Sequence, residues 1–426
     1  QCTLSFQQSM PSDADAEPLM IPITVGLMNK QGDMLPLQLV GEENQQDTTK
    51  VLVLTEKQQQ FTFTNIGEKP LPSLLRGYSA PVKIQYDWPR ADLALAMQQD
   101  SDAFCRWDAA ETLHMQGVLE LAEALAKGED ADAQLDPVIV QACRTVVDDL
   151  QLAPGFAAEL LSLPSESYLC EQVSPVNVEA IHGALQRVRQ TLSGALAASL
   201  RARYLDLHDA EWSPSAEAMG RRRLKNLCLD LLCARGEAED FALAEQQYRN
   251  ANCMTDRLAA LTVLVSGQAG EAAACLADFA QRYGDNPLVM DKWFTIQAIR
   301  PQHEVIQQVR ELMDHPAYSR RNPNKIRALL GAFAMHNPMG FHEPGGAGYQ
   351  LIADEVIALD RMNPQTASRL ALAFNRWPYM DDQRSLMMRQ QLRRIQSTAN
   401  LSPDVFEVVN NALKDDDFAG ESANVA

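Results

Sequence analysis

Two cations stand where a helix start disfavours them. Asn322-Pro323 reads as a helix opening, because Asn is a strong N-cap and Pro is preorganised for the first helical position. Asn324, Lys325 and Arg327 follow within about the first turn. The N–H groups there already carry partial positive charge, so each cation costs about 0.3–1 kcal/mol. Sequences concentrate such departures from local rules at functional sites. Asn363-Pro364 marks a second opening, with Gln365 next and Arg369 on the second turn. If consecutive helical repeats stack in register, Arg327 and Arg369 face one surface, where an external anion would compensate them. On the competing reading each arginine pairs with a nearby carboxylate such as Glu355 or Asp360.

Other combinations of reactive residues point away from chemistry. His303-Glu304 and His342-Glu343 are not followed by the second histidine that an H-E-x-x-H zinc helix needs. His336, His342 and Glu343 read as a helix end and a loop. Gly345-Gly346-Ala347-Gly348-Tyr349 lacks the Gly-Lys-Ser/Thr of a phosphate-binding loop and reads as a flexible turn. No G-x-S-x-G nucleophile elbow occurs. The eight cysteines form no C-x-x-C pair and mostly lie in apolar helical patterns, which reads as reduced thiols in a reducing compartment. Arg221-Arg222-Arg223 reads as a solvated helix face. Arg384, Arg389, Arg393 and Arg394 read as another.

The elements that must carry these residues fall into two regimes. Residues 1–88 show short period-2 segments, among them Cys2–Phe6, Ile21–Leu27, Leu35–Leu39, Val51–Val53, Phe61–Phe63 and Val82–Tyr86. About seven strands separated by turn residues, with no helical pattern between them, predict a small antiparallel Ig-like sandwich. From residue 89 to 413 the period is helical, with about fifteen helices and no convincing strand. Asn-Pro recurs at 286, 322, 337 and 363, with spacings of 36 and 41 residues between the first, second and fourth. Those lengths match one helical hairpin of a HEAT- or armadillo-like array. The fold class is thus α+β and multidomain: a small sandwich, then a large all-α superhelix. Residues 414–426, with Asp415-Asp416-Asp417, read as an acidic flexible tail.

Composition narrows the function. At 426 residues, with 46% hydrophobic and 22% charged residues, the chain has enough apolar material for a sizeable core. A net charge of −19 argues against nucleic acid and against an anionic membrane surface. No apolar run approaches the roughly 18 residues of a membrane span. The opening Gln1-Cys2-Thr3-Leu4 lacks an initiator methionine and a signal-peptide pattern, which suggests a piece of a longer protein.

Longer motifs carry a resemblance. Val289-Met290-Asp291-Lys292-Trp293-Phe294 precedes Asn322-Pro323-Asn324-Lys325-Ile326-Arg327-Ala328-Leu329-Leu330-Gly331-Ala332-Phe333-Ala334. Asn337-Pro338, Phe341-His342, Gly348-Tyr349 and Asn363-Pro364-Gln365-Thr366-Ala367-Ser368-Arg369-Leu370 follow. Upstream lie Tyr78-Ser79-Ala80-Pro81-Val82-Lys83 and Arg106-Trp107-Asp108-Ala109-Ala110. Over residues 1–413 this resembles the C-terminal half of the bacterial aminopeptidase N family, zinc aminopeptidases of the gluzincin class. The resemblance implies an N-terminal β domain and a thermolysin-like catalytic domain, both missing here, joined to the sandwich and superhelix. It implies zinc in the complete enzyme and none bound by this chain, peptide substrates, and a cytoplasmic location. It places Arg327, Gln365 and Arg369 toward the substrate cavity, where a guanidinium would hold a peptide carboxylate. Lys325 stands where relatives often have Arg. No residue of this chain is assigned a catalytic role.

Two functions follow from these readings. One is the capping region of a zinc aminopeptidase that removes N-terminal residues from peptides. The other is a non-catalytic helical-repeat scaffold that binds a peptide or protein partner.

Overall fold

The computed structural model describes residues 1–10, 16–43, 47–129, 134–209 and 211–422, with side chains as far as Lys414. Of the acidic tail read over 414–426, residues 414–422 belong to the helix Pro403–Ser422, and residues 423–426 lie outside the described residues. The chain forms two compact units: residues 1–117 with 135–163, and residues 118–134 with 164–426.

The first unit begins with five described strands: β1 Cys2–Gln7, β2 Ile21–Met28, β3 Lys50–Leu54, β4 Gln58–Phe63 and β5 Leu71–Leu74. β1 and β4 form an antiparallel pair with Leu4 opposite Phe61. β3, β2 and β5 form an antiparallel sheet with Ile23 opposite Leu52 and Leu27 opposite Pro72. Pro72 donates nothing to the ladder, which suits β5 as an edge strand. Alternate residues Ile23, Val25 and Leu27 of β2, with Leu52, Leu54 and Phe63, make the core.

Two expected strands are not ladder strands. Leu35–Leu39 contains Pro36, and the segment bends from one sheet to the other. Leu35 N–H donates to Leu27 O at 2.7 Å, whereas Val40 N–H donates to Thr62 O at 3.0 Å. This is a corner in which one segment serves both sheets. Val82–Tyr86 pairs with no strand among the described residues, although Val82 and Ile84 pack on the sandwich core. The alternation there reports burial of one side, which does not require a ladder.

Helices Arg90–Gln99, Pro137–Asp148 and Pro154–Leu161 complete this unit, with the first part of Ala103–Ala126. Arg76, buried beneath the sheet, fastens sandwich to helix. It donates to Ser73 Oγ at 2.9 Å, Asp100 Oδ1 at 3.1 Å and Ser101 Oγ at 2.7 Å.

The second unit is a run of helical hairpins. Val178–Asp206 packs on Ala216–Cys233, Ala238–Asn250 on Met254–Ser266, and Pro287–Ala298 on Val305–Met313. Ala347–Asp360 packs on Pro364–Ala371, and Asp382–Gln396 on Pro403–Ser422. The fold class is therefore the expected one: small antiparallel sheets followed by stacked helices. The Asn-Pro pairs do what their chemistry predicts. Asn286, Asn322, Asn337 and Asn363 each cap the helix that their proline begins, accepting N–H bonds from Leu288, Asn324, Gly340 and Thr366 respectively.

Candidate functional site

The helix that Asn322 caps is short and then changes register. Pro323–Ile326 is α-helical, and Arg327–Gly331 is a π-turn before Ala332–His336 resumes α geometry. Single π-turns within α-helices recur at functional sites. The turn is marked by the Ala332 N–H, which donates to Arg327 O, five residues back, and to Leu329 O. Leu329, Leu330 and Phe333 are fully buried, so the chain after the turn is fixed by the core.

Lys325 does not stay at the helix start as an uncompensated charge. The residue is buried, and its side chain runs to the Pro287–Ala298 helix. The ammonium donates to Asp291 Oδ1 at 2.7 Å and to Pro287 O at 2.6 Å, and lies 5.5 Å from the Phe294 ring centroid. The dipole cost inferred from sequence is offset internally, and Lys325 is an anchor.

Arg327 differs. It is exposed, and its one described partner is Asn324 Oδ1, which accepts from Nη2 at 3.1 Å. Gln365 and Arg369 are exposed on the Pro364–Ala371 helix, with no ion pair to Arg369 among the described residues. That helix has only eight residues, so Arg369 falls in its last turn, where the dipole favours a cation. The helix-start argument applies to Arg327 and not to Arg369. Gln365 and Arg369 share a helix packed on Ala347–Asp360 and Pro403–Ser422. Arg327 belongs to a segment packed on Pro287–Ala298 and Val305–Met313.

The carboxylates offered as local partners are engaged elsewhere. Glu355 takes a two-pronged bond from Arg320, with Nε–Oε2 at 2.8 Å and Nη2–Oε1 at 2.7 Å. Asp360 accepts from the backbone N–H of Ser402 at 2.9 Å and from its hydroxyl. Arg327 and Arg369 therefore have no carboxylate partner among the described residues.

The remaining suspects are structural. His342 Nδ1 meets Tyr349 Oη at 2.8 Å. Desolvation, with help from the Arg384 and Arg376 charges, pushes its pKa down to about 3, so the ring is neutral. Glu343 accepts from the Gly345 and Ala347 N–H groups at 2.8 and 2.5 Å, and Gly346 takes the left-handed conformation at φ +75°. The glycine run is a tied turn that starts a helix. Arg384 is buried, not on an exposed face. It donates to His342 O at 2.8 Å and Asp381 Oδ2 at 2.9 Å, and it pairs with Glu179. Arg222 is likewise buried and donates to Ser213 O at 2.9 Å.

His114 and Cys143 form a fully buried pair with Nε2 and Sγ 3.5 Å apart. Burial pushes the thiol up to about 12 and the imidazole down to about 4. Both stay neutral, so the pair has none of the thiolate character of a nucleophile. Among the described residues no three His, Cys, Asp or Glu side chains are grouped as metal ligands. Nor, among the described residues, is any helix long and apolar enough to cross a membrane.

The comparisons with known proteins bear on this geometry. A family model described as a domain of unknown function, DUF3458_C, ARM repeats, matches residues 90–414. Its companion, DUF3458 with an Ig-like fold, matches residues 1–87. The chain belongs to the DUF3458 family. This DUF3458 chain is 35% identical over 418 residues to aminopeptidase N of Escherichia coli, covering 97% of its own length and 47% of the relative's. Aminopeptidase N of Haemophilus influenzae is 34% identical over 415 residues, with shares of 96% and 47%. The crystal structure of Legionella pneumophila aminopeptidase A in complex with aspartic acid superposes with a TM-score of 0.83 at 29% identity. That match covers 97% of this DUF3458 chain and 48% of the Legionella chain. The chain thus spans about half the length of the relatives it matches.

Sequence reasoning missed the parts that place the DUF3458 side chains: Thr295, Asp291 and the Arg320–Glu355 pair. Thr295 had no local signal, since its hydroxyl acts on a carbonyl in another helix, Ala328 O at 2.9 Å.

Proposed function

We propose that this chain is the C-terminal region of a cytoplasmic zinc-dependent aminopeptidase that removes N-terminal residues from peptides. It closes over the catalytic cleft and lines the substrate cavity with Arg327, Gln365 and Arg369. Zinc and the residues that hold it belong to the other half of the same polypeptide. The carrying observation is the similarity to aminopeptidase N of Escherichia coli over 97% of this chain and only 47% of the relative. A scaffold of different origin would have no reason to match one part of an aminopeptidase so continuously.

The exposed guanidinium groups of Arg327 and Arg369, free of carboxylate partners among the described residues, suit a ligand with a negative end. A peptide's terminal carboxylate is such a group, and an arginine fork matches its geometry. Eight free cysteines, most of them buried, suit the reducing compartment assigned here.

The test is expression of this chain alone and of the full-length polypeptide, followed by zinc analysis and hydrolysis of an aminoacyl chromophore. One zinc with activity in the long form, and neither in this chain alone, supports the assignment. Tightly held zinc with hydrolysis in this chain alone overturns it.

A further inference from the structure

We infer that Thr295 is a positioning residue for Arg327, acting by holding the π-turn that sets the direction of the guanidinium. The inference rests on the cavity role proposed for Arg327 and adds the device that aims it. In a continuous α-helix the Ala328 carbonyl would accept the Ala332 N–H, four residues on. Here that N–H is diverted to Arg327 O and Leu329 O. The Ala328 carbonyl lies 2.9 Å from the Thr295 hydroxyl of the neighbouring Pro287–Ala298 helix, which shares its one proton between this carbonyl and Asp291 O, 3.0 Å away in its own helix. The hydroxyl bond is available to Ala328 O in the register that diverts the Ala332 N–H, so it favours the π-register over the α-register.

The register decides where Arg327 points. Residues after the turn are locked by Leu329, Leu330 and Phe333 in the core. Removing the extra residue from the turn would rotate everything before it by about 100° relative to that fixed part. Lys325 would then leave Asp291, and Arg327 would swing from its exposed direction. Two bonds from one helix thus hold the turn from both sides: Asp291 to Lys325 at 2.7 Å and Thr295 to Ala328 O.

The test uses the full-length polypeptide carrying Thr295→Val, Thr295→Ser or Arg327→Ala. Each is assayed on a tripeptide and on an aminoacyl p-nitroanilide, which has no terminal carboxylate. Thr295→Val is expected to raise KM for the tripeptide about fivefold, near the worth of one neutral hydrogen bond. Its kcat and its p-nitroanilide KM should hold within about twofold. Thr295→Ser keeps the hydroxyl and is expected to restore the tripeptide KM. A crystal structure of Thr295→Val is expected to show the Arg327 guanidinium displaced from its wild-type direction, with Lys325 still on Asp291. A guanidinium that keeps its wild-type direction in Thr295→Val overturns the inference. So does an unchanged tripeptide KM in Thr295→Val when Arg327→Ala raises it, and in that case the cavity role stands. If Arg327→Ala leaves the tripeptide KM unchanged, the cavity role of Arg327 itself fails, and the aiming of Arg327 toward substrate fails with it.

Discussion

The Lys325 ammonium lies 2.7 Å from Asp291 Oδ1, and these two residues, 34 apart in sequence, tie consecutive helical hairpins together. The pair is well buried on the lysine side, where the side chain is 4% exposed, against 18% for Asp291. Removing Asp291 strands a buried cation, whereas removing Lys325 leaves a carboxylate that water can reach. Asp291→Ala is therefore expected to cost about 3–5 kcal/mol and Lys325→Met clearly less. The double variant is expected to cost less than the sum, because the stranded charge is gone. Urea unfolding followed by circular dichroism checks this, and strictly additive losses would contradict it.

Asn337 does more than start a helix. Its side chain is 2% exposed, and Nδ2 donates to Ala298 O at 2.8 Å and Arg300 O at 2.6 Å. Its Oδ1 accepts from Gly340 N–H at 2.9 Å. Asn337→Ala takes the described side-chain partner from the buried Ala298 carbonyl and the Gly340 N–H, while Arg300 O keeps the Gln302 N–H at 2.8 Å, at an expected cost of about 2–4 kcal/mol. Asn337→Asp keeps the cap but sets a carboxylate against two carbonyls. It is expected to be no better than alanine in a thermal melt, and near-wild-type stability for either variant would refute this account.

These two residues also show what a sequence discloses. The Asn-Pro caps were legible because a cap is local: the side chain bonds N–H groups two or three residues on. The sandwich and helical array were legible because periods of 2 and 3.6 reflect which face is buried. The partner of Lys325 was not legible, since Asp291 is brought to it only by hairpin stacking. Arg384 looked like part of an exposed face because its spacing from Arg389, Arg393 and Arg394 is helical. Its burial depends on Glu179, 205 residues earlier. The π-turn leaves no compositional trace, for it depends on a threonine in the preceding hairpin. Arg327 was singled out by a local rule that does apply to it. Arg369 was singled out partly by a rule that does not, since its helix ends two residues later.

The His342 ring makes stability depend on pH in a definite direction. Its pKa is lowered from the ordinary value near 6.5 to about 3 by desolvation first and the arginine charges second. The unfolded chain takes up a proton on this ring below about pH 6.5, and the folded chain does not until about pH 3. Its contribution is thus complete above pH 6.5 and declines as pH falls toward 3. Between pH 6.5 and 5, where most carboxylates remain ionised, the urea midpoint is expected to fall more steeply for the wild type than for His342→Gln. Parallel curves over that interval would remove His342 as the source.

The cavity role is tested most directly at Arg369 in the full-length polypeptide, by comparing kcat/KM for a tripeptide and for an aminoacyl p-nitroanilide. Arg369 is exposed, so its loss should sit at the lower end for a charge-assisted hydrogen bond, about 1.5 kcal/mol. Arg369→Ala is expected to lower the tripeptide value about tenfold and to leave the p-nitroanilide value within about twofold. Equal losses on both substrates, or none on either, would contradict the assignment of this helix to the substrate cavity.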